Sequence, residues 1–136
     1  MMVRTEAVSI STEKINKLDR LLSDFCTQTN AIWAIIITLT GQLLIQQGFI
    51  YSFDVLAIAA LTSGVFNSTM ELAHMVGETK FCQFLQEGEP FSVYYISINS
   101  KYLLVSLFDD RTIAGVVKVA SEEFCSEAEK ILGTSS

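Results

Sequence analysis

His74 is the only histidine in the chain, so a histidine-based metal cluster is excluded, and no Gly-x-Ser-x-Gly elbow is present to expose a nucleophilic serine. Asp109-Asp110 could serve as a metal or acid/base pair. Adjacent side chains usually diverge, however, and two aspartates before an apolar periodic run are better placed to cap a helix. Gly77-Glu78-Thr79-Lys80 has a phosphate-loop flavour but lacks the long Gly-to-Gly spacer and a Ser or Thr after the lysine. It reads as a helix stop followed by a strand start. Cys26, Cys82 and Cys125 are widely spaced, odd in number and without a Cys-x-x-Cys pair, which suits small apolar core residues in a reducing compartment. Asn67-Ser68-Thr69 matches a glycosylation sequon, but in the middle of a helix it is accidental. The sequence therefore predicts no catalytic, metal or cofactor site, and the candidate chemistry is recognition by surfaces.

Composition narrows the surfaces. The chain has 136 residues, half of them apolar, which is one domain with ample core. A net charge of -6 with nine scattered Lys and Arg argues against nucleic acid and anionic membranes, and favours basic protein surfaces if any. The N-terminus has charges where a signal peptide needs an apolar run, and the longest apolar run, Ala31 to Ile37, is too short to span a bilayer. A soluble, cytoplasmic protein without membrane insertion is expected.

The element that must position any recognition site is Phe53 to Gly77, a helix apolar on more than one side. One stripe at helical spacing holds Ile58, Leu61, Val65, Leu72 and Val76; a second holds Val55, Ala59, Phe66, Met70 and Ala73. The first is expected to lie on the chain's own sheet, and the second to be covered by the same helix of a second copy. Between them runs a narrow polar strip of Ser63, Asn67, Glu71 and His74, with Ala60 and Gly64 low beside it. This strip is the candidate partner-binding site. A central helix covered twice by its own chain is the competing arrangement.

Around that helix the pattern is regular. Residues 1–10 show no period and are expected to be a flexible arm, leaving 11–133 as a single domain. Ser11 or Thr12 can cap a one-faced helix through Ile15, Leu18, Leu21, Leu22 and Phe25. Trp33 to Leu39, apolar without alternation, and Tyr102 to Phe108, nearly continuous and apolar, are strands for the middle of a sheet; Leu43 to Gln47 and Lys80 to Glu87 are more polar and belong at its edges. Phe91 to Ile98 is the remaining strand. Lys80 to Glu87, with Cys82 and Phe84, is the edge expected to pair with its copy. Arg111 to Leu132 mixes strand and helix signals but carries one helical face through Ile113, Val116, Val117, Ala120, Phe124, Ala128, Ile131 and Leu132, with Asp109 or Asp110 as cap. The predicted class is α+β, in the order α-β-β-α-β-β-β-α: a five-stranded antiparallel sheet with one helix on one face and two on the other.

The hairpin AIIITLTGQLLIQQG, the stretch AALTSGVFNSTMELAHMVGETKFCQFLQEGE and the segment YLLVSLFDDRTIAGVV, in this order, resemble the roadblock family of dynein-light-chain-like proteins, a profilin-like and longin-like architecture. Within it the chain is similar to the bacterial polarity-regulator branch, from about Lys14 to Lys130. The resemblance implies a homodimer joined through the central helices and third strands. It also implies a small Ras-like GTPase bound across the paired helices, two copies of this chain to one GTPase, and acceleration of GTP hydrolysis through the GTPase's own catalytic groups. The chain stops shortly after its last helix, so functions of longer C-terminal extensions are not expected. A structural adaptor with no effect on nucleotide turnover is the alternative. A ligand-sensing domain is a third reading, disfavoured because no polar cluster interrupts the apolar segments.

Overall fold

The computed structural model describes residues 2–5, 8–50 and 52–133. The first strands, β1 (Met2–Thr5) and β2 (Val8–Ser11), pair antiparallel with Met2 opposite Ser11. A short hairpin thus stands where the sequence predicts a loose arm, although Met1, Glu6 and Ala7 of that arm lie outside the described residues. Four-residue strands are too short to show a period, and only the β-branched Val3, Thr5, Val8 and Ile10 hint at them.

Ser11 then caps α1 (Thr12–Thr29), its hydroxyl accepting from the Lys14 amide at 3.3 Å, and Asn30 ends the helix in the left-handed region. The strands β3 (Trp33–Thr38) and β4 (Leu43–Gly48) form a hairpin, followed by α2 (Val55–Met75). After it come β5 (Gln83–Gln86), β6 (Ser92–Ile98), β7 (Tyr102–Phe108) and α3 (Ala114–Leu132). All pairings in the main sheet are antiparallel, in the order β4-β3-β7-β6-β5. The two most continuously apolar strands, β3 and β7, are buried along their whole length and lie inside, while the more polar β4 and β5 form the edges.

Alternation along the strands divides the core in two. Ala34, Ile36, Tyr94, Ile96 and Leu104 point to α1 and α3, where Leu18, Leu22, Phe25, Val117 and Phe124 cover them. Ile35, Ile37, Tyr95, Leu103 and Val105 point the other way, to α2. One helix on one face and two on the other is the predicted α+β arrangement. Polar ties fix the two-helix layer: Gln47 donates to Asp19 at 2.9 Å, and the Asn99 amide to Glu129 at 3.1 Å.

The start of α3 departs from expectation. Neither Asp109 nor Asp110 caps it; Asp109 instead accepts from the backbone amide and Nε of Arg111, at 3.1 and 3.0 Å, closing a local turn. The helix begins at Ala114 with Ile113 in the cap position and no side-chain cap. Its buried face is centred on Val117, Ala120, Ser121, Phe124 and Ala128, and that leaves Ile113 and Val116 at the margin, exposed rather than inward.

Candidate functional site

The candidate site is built on α2, whose ends are fixed locally. Asp54 accepts from the Ala57 amide at 3.1 Å at the start. At the other end Gly77, with φ +89°, turns the chain so that its amide and that of Glu78 donate back to His74 and Ala73. His74 in the last turn suits the negative end of the helix dipole.

The structure inverts the two stripes. Ala59 and Phe66 of the second stripe are 0 % and 1 % exposed, seated on the chain's own sheet beside Thr62 and Ser63, with Val55 and Met70 packed partly against the same core. The stripe expected on the sheet faces outward instead: Leu61 is 69 % exposed, Leu72 60 % and Val76 75 %, with Val65 also exposed and Met75 exposed beside them. Only Ile58 of that stripe touches the core. Val55, Ala59, Phe66 and Met70 therefore belong to the monomer, and Ala73 is half-buried at the margin. The physical reason is side-chain size. Small Ala59, Thr62 and Ser63 let the helix settle close to the sheet, and Phe66 fills the gap toward β5 against Phe81 and Phe84, at centroid distances of 5.5 and 6.2 Å. That run of small residues around one phenylalanine was the signal available in the sequence.

The polar strip divides as well. Ser63 is buried and donates to the Ala60 carbonyl at 2.9 Å. Asn67 is half-buried, its amide donating to the Leu39 carbonyl at 2.8 Å, which ties the β3–β4 turn to the helix. Gly41 in that turn explains the closeness: a Cβ there would stand 2.9 Å from Ser63 Oγ and 3.2 Å from Ala60 Cα. Ser63 and Asn67 thus support the ridge from below. Ala60, Gly64, Glu71 and His74 remain exposed along it, and a Cβ on Gly64 would meet nothing within 4 Å.

Sequence reasoning missed Leu61, Val65, Leu72 and Met75 as the outward face beside this ridge. By length and composition alone α2 could cross a bilayer, yet its buried side is committed to the sheet. What stays open is an apolar strip flanked by small and polar residues.

At the β5 edge, Cys82 is exposed, whereas Phe84 is stacked on Tyr95 with centroids 4.3 Å apart and nearly parallel planes. Gln83 anchors the strand to α3, donating to Glu122 at 3.1 Å and accepting from the Tyr94 hydroxyl. Burial pushes the Cys125 thiol up to about 12 and the Cys26 thiol up to about 11, so both stay protonated and poorly nucleophilic at neutral pH. Among the described residues no three His, Cys, Asp or Glu side chains gather as a metal site. The geometry is suited to binding a protein surface.

No family model and no curated protein matches the sequence. Solved structures do. Myxococcus xanthus MglB superposes with a TM-score of 0.85 at 28% identity, covering 96% of this chain and 93% of that one. An MglB with a tetrameric arrangement gives 0.81 at 22%, with 96% and 93% covered. A Roadblock/LC7 domain from Streptomyces avermitilis gives 0.76 at 17%, with 84% and 96% covered. The fold is the roadblock fold, and the chain is similar to MglB over nearly its whole length, as the sequence resemblance implied.

Proposed function

We propose that this chain is a cytoplasmic, homodimeric regulator of a small Ras-like GTPase, without a catalytic site of its own, that promotes GTP hydrolysis by arranging the GTPase's catalytic groups. The observation that carries the reading is the outer face of α2, an exposed apolar strip through Leu61, Val65 and Leu72 with the low ridge of Ala60, Gly64, Glu71 and His74 alongside. An apolar strip of this kind on a soluble domain calls for a cover, and the same strip on a second copy is self-complementary about a twofold axis. Pairing there brings two ridges side by side into one composite surface. One MglB is solved in a tetrameric arrangement, which supports self-association as the reading for this chain, and the sequence resemblance to the polarity-regulator branch supports a small GTPase as the partner class.

Ridge composition fits a partner that comes and goes. It is polar and partly small where the dimer strip is apolar, which is the character of transient contacts. The test is single-turnover GTP hydrolysis by a cognate small GTPase with and without this protein. Acceleration that disappears with Gly64→Trp supports the proposal. Binding without any change in rate would make the protein an adaptor instead, and no binding at all would remove the GTPase from the reading.

A further inference from the structure

On the sheet face opposite α2, α1 and α3 pack side by side and leave a trench open along their outer seam. Its floor is apolar, with Leu21 and Phe25 from α1 meeting Ala120 and Phe124 from α3; the two phenylalanines contact edge to face at 5.8 Å. Toward the start of α3 it continues between Gln28 and the exposed Ile113, Val116 and Val119. The two stretches, of about 220 and 380 Å³, share Gln28, Ala120 and Glu123 and so form one groove. From Ile113 to Glu127 it follows about 21 Å of helix, roughly four turns.

The rim has one sign of charge. Asp24, Glu123 and Glu127 line the trench, and no Lys, Arg or His does. Lys130 pairs with Glu127 at 3.0 Å and Lys118 with Glu122 at 3.4 Å, whereas Asp24 and Glu123 have no ion-pair partner among the described residues. An apolar floor edged by two unpaired carboxylates, Asp24 and Glu123, is complementary to an apolar surface flanked by basic groups.

We propose that the trench is a docking groove for an amphipathic helix of another protein, with apolar side chains laid on the exposed Ile113, Val116 and Val119 and Lys or Arg on its flanks facing Asp24 and Glu123. A second copy of this chain supplies no such helix. Its exposed apolar helix, α2, contains no Lys or Arg, the lysines of α1 sit on a helix whose apolar side is already buried, and on α3 Lys118 and Lys130 are paired with Glu122 and Glu127. An anionic membrane is disfavoured by the carboxylate rim. Because the groove lies across the sheet from α2, it stands or falls independently of the GTPase reading.

The test uses a fluorescent amphipathic peptide about four helical turns long, leucine on one side and lysine on both flanks, titrated by anisotropy. Binding to the wild-type protein is expected to weaken with salt. It is expected to drop by about tenfold or more when glutamate replaces the peptide's lysines, in Glu123→Lys, and in Val116→Asp. Leu72→Asp on α2 should leave it unchanged. Both trench substitutions are at exposed positions, and circular dichroism checks that they fold. Four results would overturn the proposal: equal binding of the glutamate peptide, affinity indifferent to both trench variants, loss in Leu72→Asp instead, or a Val116→Asp protein that changes its oligomeric state or loses binding to phosphatidylserine vesicles.

Discussion

Phe66 is the side chain that decides which side of α2 belongs to the monomer. It is fully buried between the helix and the aromatic group of Phe81, Phe84 and Tyr95, so Phe66→Ala should cost about 3 to 5 kcal/mol of monomer stability through lost packing and a residual cavity. Leu61→Ala, at an exposed position, should stay within about 0.5 kcal/mol. Urea denaturation below the association concentration compares the two; equal costs would contradict the burial pattern. The thiols give a second residue-scale expectation. Cys82 is exposed and should be the one alkylated by iodoacetamide in the native protein, with Cys26 and Cys125 spared until unfolding, as peptide mass mapping would show. The same burial has a consequence for pH. Folded thiol values raised to about 11 and about 12 exceed the ordinary 9.0, so this contribution to stability is complete below about 9 and is lost as pH rises toward 11 to 12. The urea midpoint should therefore fall between pH 8 and pH 10 by an amount equivalent to about 1 kcal/mol per thiol. A midpoint that rises over that interval would refute the assignment.

At the scale of elements, α2 and β5 carry the claims about association. Charge on the outer strip, in Leu61→Asp combined with Leu72→Asp, should dissociate the proposed dimer in light scattering while leaving circular dichroism native, because both side chains are exposed in the monomer. Phe66→Asp should unfold the chain instead. The edge strand separates in a similar way. Ser97 donates to the Cys82 carbonyl, and antiparallel alternation then makes Phe84 opposite Tyr95 a bonded pair, so the Gln83 and Leu85 amides face away from β6. Proline at Leu85 should weaken a dimer joined along β5 at little cost to the monomer, whereas proline at Phe84 should damage the monomer's own sheet. Hydrogen exchange of the Leu85 amide that is equally fast in dimer and monomer would take β5 out of the interface. These contrasts mark where sequence patterns are informative. Trp33 to Thr38 and Tyr102 to Phe108 are apolar except for Thr38 and Ser106 and show no alternation, so they read as central strands, and the sheet order followed from that. Period 3.6 in α2 gave two stripes but not their assignment, because a helix apolar on two sides encodes its inner side in residue size, in Ala59, Thr62 and Ser63, rather than in hydropathy. Capping at α3 was illegible for another reason: Arg111 competes for Asp109, a local preference no apolar pattern records.

For the whole molecule the question is what a twofold axis does to the ridge. The candidate site was legible as a strip, but the hydrogen bond of Asn67 to Leu39 depends on how the β3–β4 turn folds back on α2, which periodicity does not contain, and Ser63 turns its hydroxyl back onto its own helix at Ala60. Ser63 and Asn67 therefore hold shape, and contact in the proposed complex falls to Ala60, Gly64, Glu71 and His74. Paired across the axis, the two strips would form a single surface that one asymmetric GTPase occupies once, so titration calorimetry should give two copies of this chain per GTPase. Gly64 has open space above it, so Gly64→Trp should fold and dimerise normally and yet block the GTPase by overfilling the contact. Glu71→Ala should weaken binding by about 1 to 3 kcal/mol if its carboxylate is desolvated there. Asn67→Ala should act differently, by loosening the turn at Leu39 and lowering stability by about 1 kcal/mol along with affinity. A one-to-one complex, or full affinity in both the Gly64→Trp and Glu71→Ala dimers, would move the GTPase off α2 altogether.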